Sequence, residues 1–338
     1  RQGESAFKTV SYFIFVPNIL SFPTKNKKLL SRNCVAGSPR FVLVIDMKKK
    51  EFSIIGCGRL GISLAVFLSG QGYIAKGFSS KSPESVDKVI RFVGAGTAYE
   101  KPWDAAKAAS LVFICTPDTL IEPVCKKIAS EGGFNSQSVV FHLSGALSSD
   151  ILASAKKAGA VTGSIHPLQA FAPYEEGQQS PFRAINMSVE GEKKAVELGK
   201  VIVNALKAHS FTIPTKAKTL YHASAVVASN YLVTVENCAL ELLKQAGLSE
   251  DNAYEILEPL IMGSLNNIKK RGSINALTGP VARGDDEIVA RHLRDIERKV
   301  PQFSALYKLL GRYTLDIAAS RGEIKEDAIQ KLDDLFKL

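Results

Sequence analysis

The sequence lacks an apolar run of the roughly 20 residues that a membrane-spanning helix needs. Its five cysteines are scattered, and no two of them form a C-x-x-C pair, so the common cysteine-based metal and redox motifs are excluded. Three of them, Cys57, Cys115 and Cys125, fall in apparent core segments, which is typical of buried thiols in a reducing compartment. We therefore expect a cytoplasmic protein without a metal site.

The sequence also lacks a basic stripe interleaved with aromatic residues, although its net charge is +10. Residues 1–46 hold seven Lys and Arg against two acidic residues, so half of the excess charge lies there. In the rest of the chain, Lys and Glu are interspersed along helical segments. This distribution gives little support to nucleic-acid binding, and we expect neither a nucleic acid nor a membrane as a partner.

Residues 1–46 differ from the rest of the chain in a second way. The first methionine is Met47, and MKKKEFSIIGCG is a natural start for an enzyme whose first strand opens a sheet. Upstream, an apolar run and a basic stretch could belong to a targeting segment, but Pro17 interrupts the run. We predict that residues 1–46 are an extension outside the fold, so that a chain beginning at Met47 folds and binds its ligand. A targeting segment is the alternative.

From Met47 to about residue 214, apolar segments of strand length alternate with amphipathic segments of helix length. This alternation is typical of a parallel sheet covered by helices. After Pro214 every remaining segment has a helical pattern. We predict an α/β fold, with a Rossmann-type parallel-sheet domain over residues 47–214 followed by an all-helical domain over residues 215–338. The last helices carry more apolar residues than one small bundle buries, so we expect a homodimer through the helical domain.

The segment EFSIIGCGRLGISLAVFLSGQGYIAKGFSSKS, residues 51–82, contains a G-x-G-x-x-G motif. Gly56 would allow a tight turn, Gly58 would let the backbone approach a pyrophosphate, and Gly61 would let the following helix pack closely on the strand. The motif follows a predicted strand, opens a predicted helix and leads into a second strand, which is the context of a dinucleotide site. Close packing without a ligand is the alternative.

The end of the second predicted strand indicates which dinucleotide is bound. NAD sites usually carry an acid there to hold the ribose hydroxyls, whereas this chain has hydroxyls and a cation, which suit a 2′-phosphate. Arg59, in the glycine turn, could add a second cation. We therefore predict NADP(H), held by the glycine turn and by the ends of the second and fourth strands. The predicted coenzyme residues are Gly56, Cys57, Gly58, Arg59, Leu60, Gly61, Ser79, Ser80, Lys81, Thr116 and Pro117.

Two later strands end in polar residues that should lie at the same edge of the sheet. Ser144 follows one strand, and His166 precedes Pro167 in the next. Ligands of open α/β sheets bind at the carboxyl edge, so we expect Ser144 and His166 to converge near the nicotinamide. The alternatives are that Ser144 caps the following helix and that His166 only begins a turn.

The first helix of the second domain carries polar residues among alanines and valines. At about 100° per residue, Lys218, His222 and Ser229 fall on one face, with Asn230 on its flank. Buried polar groups need partners. A substrate carbonyl or carboxylate could be that partner, and so could a hydrogen bond between domains.

The last unusual stretch is LTGPVARGD, which begins at Leu277. Thr278 opens a turn with free backbone amides, and Arg283 could hold a substrate carboxylate. A structural turn in which Arg283 pairs with Asp285 is the alternative.

Seven segments together resemble the Rossmann-like family with a C-terminal domain of unknown function, DUF2520. They are SIIGCGRLGISLA, GFSSKS, CTPD, HLSGALSSDIL, SIHPLQAF, YHASAVVASNYLV and LTGPVARGD. The resemblance runs from Met47 to the C-terminus and implies an NADP-dependent reductase. More distantly, the chain resembles the 6-phosphogluconate dehydrogenase-like superfamily, which includes ketopantoate, pyrroline-5-carboxylate and prephenate enzymes.

The distant resemblance implies roles for individual residues. Ser144 and His166 match positions that serve the substrate in prephenate dehydrogenases, but the acid that often follows the His-Pro turn is absent here. Lys218 and Asn230 could match the Lys and Asn of hydroxyacid and ketopantoate enzymes. The usual four-residue spacing between that Lys and Asn is absent, and His222 stands where the Asn would be.

These interpretations combine into one predicted function, an NADPH-dependent oxidoreductase that reduces a small carbonyl or imine acid. A histidine can titrate near neutral pH, so His222 or His166 would donate the proton. Ser144 and Asn230 would orient the carbonyl, while Arg283 or Lys218 would hold the carboxylate. Thr278 and Ser229 complete the predicted substrate contacts. The alternative is an NADP(H)-binding sensor or assembly protein without turnover.

Overall fold

The computed structural model describes residues 50–248 and 252–338. The extension predicted over residues 1–46 lies outside the described residues. The described part contains one eight-stranded sheet. Its strands are β1 (Glu51–Ile55), β2 (Ile74–Ser79), β3 (Thr97–Ala98), β4 (Leu111–Ile114), β5 (Val139–His142), β6 (Val161–Pro167), β7 (Asn186–Gly191) and β8 (His209–Thr212).

The strands lie in the order β3-β2-β1-β4-β5-β6-β7-β8. Neighbouring strands are parallel, except that β7 is antiparallel to β6. The predicted Rossmann-type sheet is therefore confirmed. Strand β3 and the short helix after it were not predicted, because two exposed residues are too few to show a strand period.

Helices connect the strands and cover both faces of the sheet. They are α1 (Arg59–Gly70), α2 (Pro83–Val93), α3 (Pro102–Lys107), α4 (Asp118–Ser130), α5 (Ala153–Lys157) and α6 (Lys193–Ala205). Residues of β4 alternate between two apolar cores: Leu111 and Phe113 pack on one face, and Val112 and Ile114 on the other. This alternation follows from the two-residue period of a strand buried on both faces.

All elements after β8 are helical, which confirms the predicted all-helical region. They are α7 (Lys218–Val226), α8 (Leu232–Gln245), α9 (Ala253–Ala276), α10 (Pro280–Arg283), α11 (Asp286–Lys299), α12 (Ser304–Ala319) and α13 (Glu326–Leu335). A π turn, Val227–Tyr231, joins α7 to α8. Helices α11, α12 and α13 share a small apolar core that includes Leu293, Leu315 and Phe336. Among the helices described, none is both long and apolar enough to cross a bilayer.

The core on the Phe113 face should dominate the stability of the sheet. Phe113 is fully buried, stacks on Phe141 with ring centroids 5.9 Å apart, and contacts Phe52 edge-on. Phe113→Ala should lower the free energy of unfolding by about 3–5 kcal/mol, because it leaves a cavity in a close-packed core. Urea denaturation measures this, with Leu338→Ala at an exposed position as the control, where a change below about 0.5 kcal/mol is expected. Equal losses in both variants would contradict the assigned core.

Candidate functional site

The glycine turn between β1 and α1 has the geometry that its sequence requires. Gly56 has φ of +99°, and its amide donates to the Ser79 carbonyl at 2.7 Å. A Cβ atom at Gly56 would lie 2.8 Å from the Thr116 backbone nitrogen, and one at Gly61 would lie 2.2 Å from the Gly56 carbonyl oxygen. Neither position accepts a larger side chain. A Cβ at Gly58 would meet nothing within 4 Å, so a phosphate has room to approach the backbone there.

A cleft of about 450 Å³ opens in front of this turn, at the carboxyl ends of β1, β2 and β4. Its size and its open glycine backbone fit part of a dinucleotide. Eight predicted coenzyme residues line it: Gly56, Cys57, Gly58, Ser79, Ser80, Lys81, Thr116 and Pro117.

Three predicted coenzyme residues lie in the first turn of α1 and do not line this cleft. Gly61 packs beneath the turn, Leu60 packs against the apolar core, and Arg59 is exposed. The contribution of Arg59 to a phosphate site therefore stays a prediction.

The cleft also contains an acidic residue that the sequence analysis missed. Glu100 lies after the two-residue strand β3, which pairs with β2, and lines the cleft with Lys81. Its carboxylate accepts a hydrogen bond from Lys101 at 2.5 Å, and this bond lowers the pKa of Glu100. Because Lys101 neutralises Glu100, Lys81 still gives this end of the cleft a cationic group.

A second group of polar side chains lies at the ends of β5 and β6. The Ser144 hydroxyl donates to an Asp118 carboxylate oxygen at 2.8 Å and accepts from the amides of Ala146 and Leu147 at 3.1 and 3.0 Å. The Ser144 amide donates to Nδ1 of His142 at 3.2 Å. Ser144 therefore fixes the loop after β5 in the way expected of a turn-capping hydroxyl, and it also holds Asp118, which the sequence analysis did not select.

Two imidazoles meet at this loop, one from β6 and one from α7. The His166 and His222 rings lie 6.1 Å apart, and Nδ1 of His166 lies 2.9 Å from the Tyr221 hydroxyl. A Cβ atom at Gly145 would lie 2.6 Å from Nε2 of His166 and 2.6 Å from Cδ2 of His222. Both rings therefore pack against the backbone of Gly145. The structure brings Ser144, His166 and His222 together with Tyr221, which was not predicted. These residues form the imidazole cluster.

Lys218 is the fully buried cation of this cluster. Its side chain is only 1% exposed, and its ammonium group donates to the Ser164 hydroxyl at 2.7 Å. Burial lowers the pKa of Lys218 to about 8, and this effect is opposed by the nearby Glu190 and Asp118 carboxylates. The prediction that Lys218 holds a substrate carboxylate needs correction, because its ammonium group faces the protein interior. Through its hydrogen bond to Ser164, Lys218 instead links α7 to β6.

The burial of the His166 ring corrects the prediction that His166 titrates near neutral pH. Desolvation lowers the pKa of His166 to about 4, and the positive charge of Lys218 and the neighbouring His222 lower it further. At pH 7 the His166 ring is therefore neutral, so it can orient a substrate but is a poor proton donor.

No hydrogen bond among the described residues links Ser229 or Asn230 to the imidazole cluster. Both residues are exposed, and both belong to the π turn that joins α7 to α8. The prediction assumed an unbroken α-helix, whereas a π turn contains more residues per turn and rotates the following side chains. The structure therefore does not bring Ser229 and Asn230 to the imidazole cluster.

The two predicted substrate contacts of the LTGPVARGD stretch also lie elsewhere. Arg283 forms an exposed ion pair with Asp285, 2.9 Å between Nη2 and Oδ2, which matches the structural alternative. Thr278 lines a separate cavity of about 320 Å³ with residues of α8 and α12. Neither residue has a contact with the imidazole cluster among the described residues.

The burial of His142 should make stability depend on pH. Desolvation, with a smaller effect of Lys218, lowers its pKa from 6.5 to about 3. Between pH 6.5 and about pH 3, His142 binds a proton in the unfolded chain but not in the folded chain. The free energy of unfolding therefore falls as pH falls below 6.5. Between pH 6.5 and about pH 5, His142 should account for a loss of about 2 kcal/mol.

His142→Asn should remove that part of the pH dependence, because Asn keeps an acceptor for the Ser144 amide and cannot be protonated in this range. Urea denaturation at both pH values measures it, and His209→Asn, at an exposed histidine, is the matched control. A wild-type pH dependence in His142→Asn would show that His142 is not held neutral.

Comparisons with known proteins agree with the two-part fold. A Rossmann-like domain model matches residues 39–167, and the model of the domain of unknown function DUF2520 matches residues 185–314. Similar solved structures include a candidate NADP oxidoreductase from Bacteroides fragilis, with 21% identity, 80% of this chain and 100% of that chain covered, and a TM-score of 0.65.

A protein from Thermotoga maritima has 27% identity, covers 80% of this chain and 99% of its own, and has a TM-score of 0.61. An imine reductase variant from Myxococcus stipitatus, solved with NAD+, has 14% identity, coverage of 85% and 99%, and a TM-score of 0.57. No curated protein matches the sequence. The chain therefore carries a Rossmann-like domain followed by a DUF2520 domain, the family arrangement that its motifs predicted.

Proposed function

We propose that the protein is an NADP(H)-dependent oxidoreductase that reduces a small carbonyl or imine compound. The observation that carries this proposal is a short chain of contacts between the glycine-turn cleft and the imidazole cluster. Thr116 and Pro117 line the cleft, and the next residue, Asp118, binds Ser144 in the loop on which His166 and His222 pack. A substrate beside His222 would therefore lie at the edge of the coenzyme cleft.

Each part of the chain has a distinct role in this proposal. The backbone of the glycine turn would hold the pyrophosphate, and Lys81 with its two serine neighbours would hold the 2′-phosphate. NADP(H), when bound, supplies the hydride. His222 is partly exposed, unlike Lys218, and is the better placed proton donor, while the neutral His166 is oriented by Tyr221. The imine reductase and oxidoreductase names of similar structures agree with this proposal, although at their level of identity they establish only the fold.

The proposed activity is tested by following NADPH oxidation with small ketones, 2-oxo acids and cyclic imines. Turnover of at least one class is expected, together with saturable NADPH binding. Tight NADPH binding without turnover of any class would favour the sensor over the enzyme. Absence of both binding and turnover would contradict the proposal itself.

Lys81 should decide between the two coenzymes. Lys81→Asp replaces a phosphate partner with a like charge, so the dissociation constant of NADPH should rise roughly 10- to 100-fold, while that of NADH should change by less than about threefold. Fluorescence titration measures both values.

Lys126→Asp is the matched control for Lys81→Asp. It makes the same charge reversal at an exposed position on α4 that does not line the cleft, and it should leave both affinities nearly unchanged. An equal loss of NADPH and NADH affinity in Lys81→Asp would show that Lys81 does not contact the 2′-phosphate.

We also propose that two copies of the chain associate through α7, α8 and α9. These helices expose large apolar side chains, among them Leu220 at 80%, Val233 at 68% and Leu260 at 68%. Contiguous exposed apolar surface is typical of an interface between chains. A homodimer would cover this surface.

Leu260→Glu should therefore shift the protein from dimer to monomer, because it places a charge in the proposed interface. Sedimentation velocity at micromolar concentration measures the mass. Leu338→Glu, at an apolar position that is 83% exposed outside these helices, should leave the dimer intact. A monomer mass for the unchanged protein would refute the proposed association.

A further inference from the structure

An exposed carboxylate lies beside the imidazole cluster. Asp118 is exposed at the start of α4, next to the cleft-lining Pro117. The Ser144 hydroxyl holds one of its oxygens at 2.8 Å, so the second oxygen can accept a hydrogen bond from a ligand. Among the described residues, no cationic nitrogen lies within the 4 Å of a salt bridge from Asp118. An oriented carboxylate at the mouth of a cleft attracts cationic groups.

Among the described residues of the cluster, the cation near Asp118 is Lys218, and Lys218 is shared with a second carboxylate, that of Glu190. The ammonium group of Lys218 is buried and donates to Ser164. The His142 and His166 rings are neutral at pH 7, because burial lowers their pKa values to about 3 and about 4. Arg283, the other predicted carboxylate clamp, pairs with Asp285 elsewhere. Two carboxylates therefore lie near one buried ammonium group. A substrate carboxylate would meet excess negative charge at Asp118, whereas a cation would be attracted there.

We propose that the substrate is a cationic iminium compound, and that Asp118 is the residue that binds its nitrogen. This inference rests on the proposed oxidoreductase function and narrows its substrate class from small carbonyl or imine compounds to imines without a carboxylate. Ser144 acts as a positioning residue, because its hydroxyl orients the Asp118 carboxylate and its backbone carries the loop that His166 and His222 contact.

With a substrate that arrives protonated, the reaction balances without the proton from His222 that a neutral carbonyl would need. A protonated imine has the form R₂C=NHR⁺, and a hydride from NADPH adds to its carbon while the C=N π electrons become the nitrogen lone pair. The products are the neutral amine R₂CH–NHR and NADP⁺. Asp118 stabilises the protonated form before this step, since a nearby opposite charge favours the charged state. This chemistry suits a site in which two histidines, His142 and His166, are neutral at pH 7.

The experiment measures the turnover of three small probes, with NADPH as the reductant. They are 2-methyl-1-pyrroline as the imine, cyclopentanone as the neutral ketone and pyruvate as the anionic ketone. The expected order of kcat/KM in the unchanged protein is imine, then neutral ketone, then anion. Asp118→Asn keeps an acceptor for Ser144 and loses the charge, so it should lower kcat/KM for the imine about tenfold or more and that for cyclopentanone by less than about threefold.

Glu122→Gln is the matched control, because it removes a carboxylate one turn further along α4 at an exposed position and should change all three values by less than about twofold. Binding gives a second readout that does not need turnover. The pyrrolidinium cation should bind the NADP⁺ complex, and Asp118→Asn should raise its dissociation constant about tenfold. NADPH affinity and the thermal midpoint should stay as in the unchanged protein.

The outcomes separate this inference from the proposed function. Turnover that favours pyruvate, or an imine kcat/KM that Asp118→Asn leaves unchanged, would overturn the inference while the oxidoreductase function stands. Loss of NADPH binding and of all turnover in the unchanged protein would overturn the function, and the inference with it. A tenfold loss with all three probes in Asp118→Asn would assign Asp118 a general structural role and would also overturn the inference.

Discussion

The parallel register of four central strands determines where the candidate site can form. Ile55 of β1 pairs with Ile114 of β4, Ile114 pairs with His142 of β5, and His142 pairs with Ser164 of β6. This row marks the level at which the strands approach their carboxyl ends. The loops that leave the sheet beyond it therefore open on the same edge. The glycine turn, the start of α4 and the loop after β5 become neighbours because hydrogen bonding fixes this row, although they are far apart in sequence.

Lys218 imposes the second constraint, because a buried ammonium group must be compensated. The structure compensates it with the Ser164 hydroxyl and with the nearby carboxylates of Glu190 and Asp118. Its charge in turn disfavours protonation of His142 and His166. A buried cation surrounded by neutral imidazoles makes the protonation state of the whole cluster interdependent, so substitution of Lys218 would alter both histidines as well as the attachment of α7.

The sequence was sufficient to predict the features that depend on local patterns. The glycine spacing, the apolar strands and the helical period after Pro214 led to the fold class and to eight residues that line the cleft in front of the glycine turn. Burial of the Lys218 ammonium could not be predicted, because it depends on how α7 docks against β6. The π turn could not be predicted either, since its sequence is compatible with a continuous α-helix, and it interrupts the helical period on which the placement of Ser229 and Asn230 depended. Glu100 was missed because β3 has only two residues.

Polar contacts, more than apolar area, set the orientation of α7 at the sheet edge. Tyr221 bonds to His166 and packs on Phe211, and Lys218 bonds to Ser164, while the other side of the helix exposes Leu220. Apolar packing tolerates rotation of a helix about its axis, whereas a buried ammonium group has few positions that satisfy it. Lys218 therefore fixes the rotation of α7, and with it the side of the helix from which His222 packs against the backbone of Gly145.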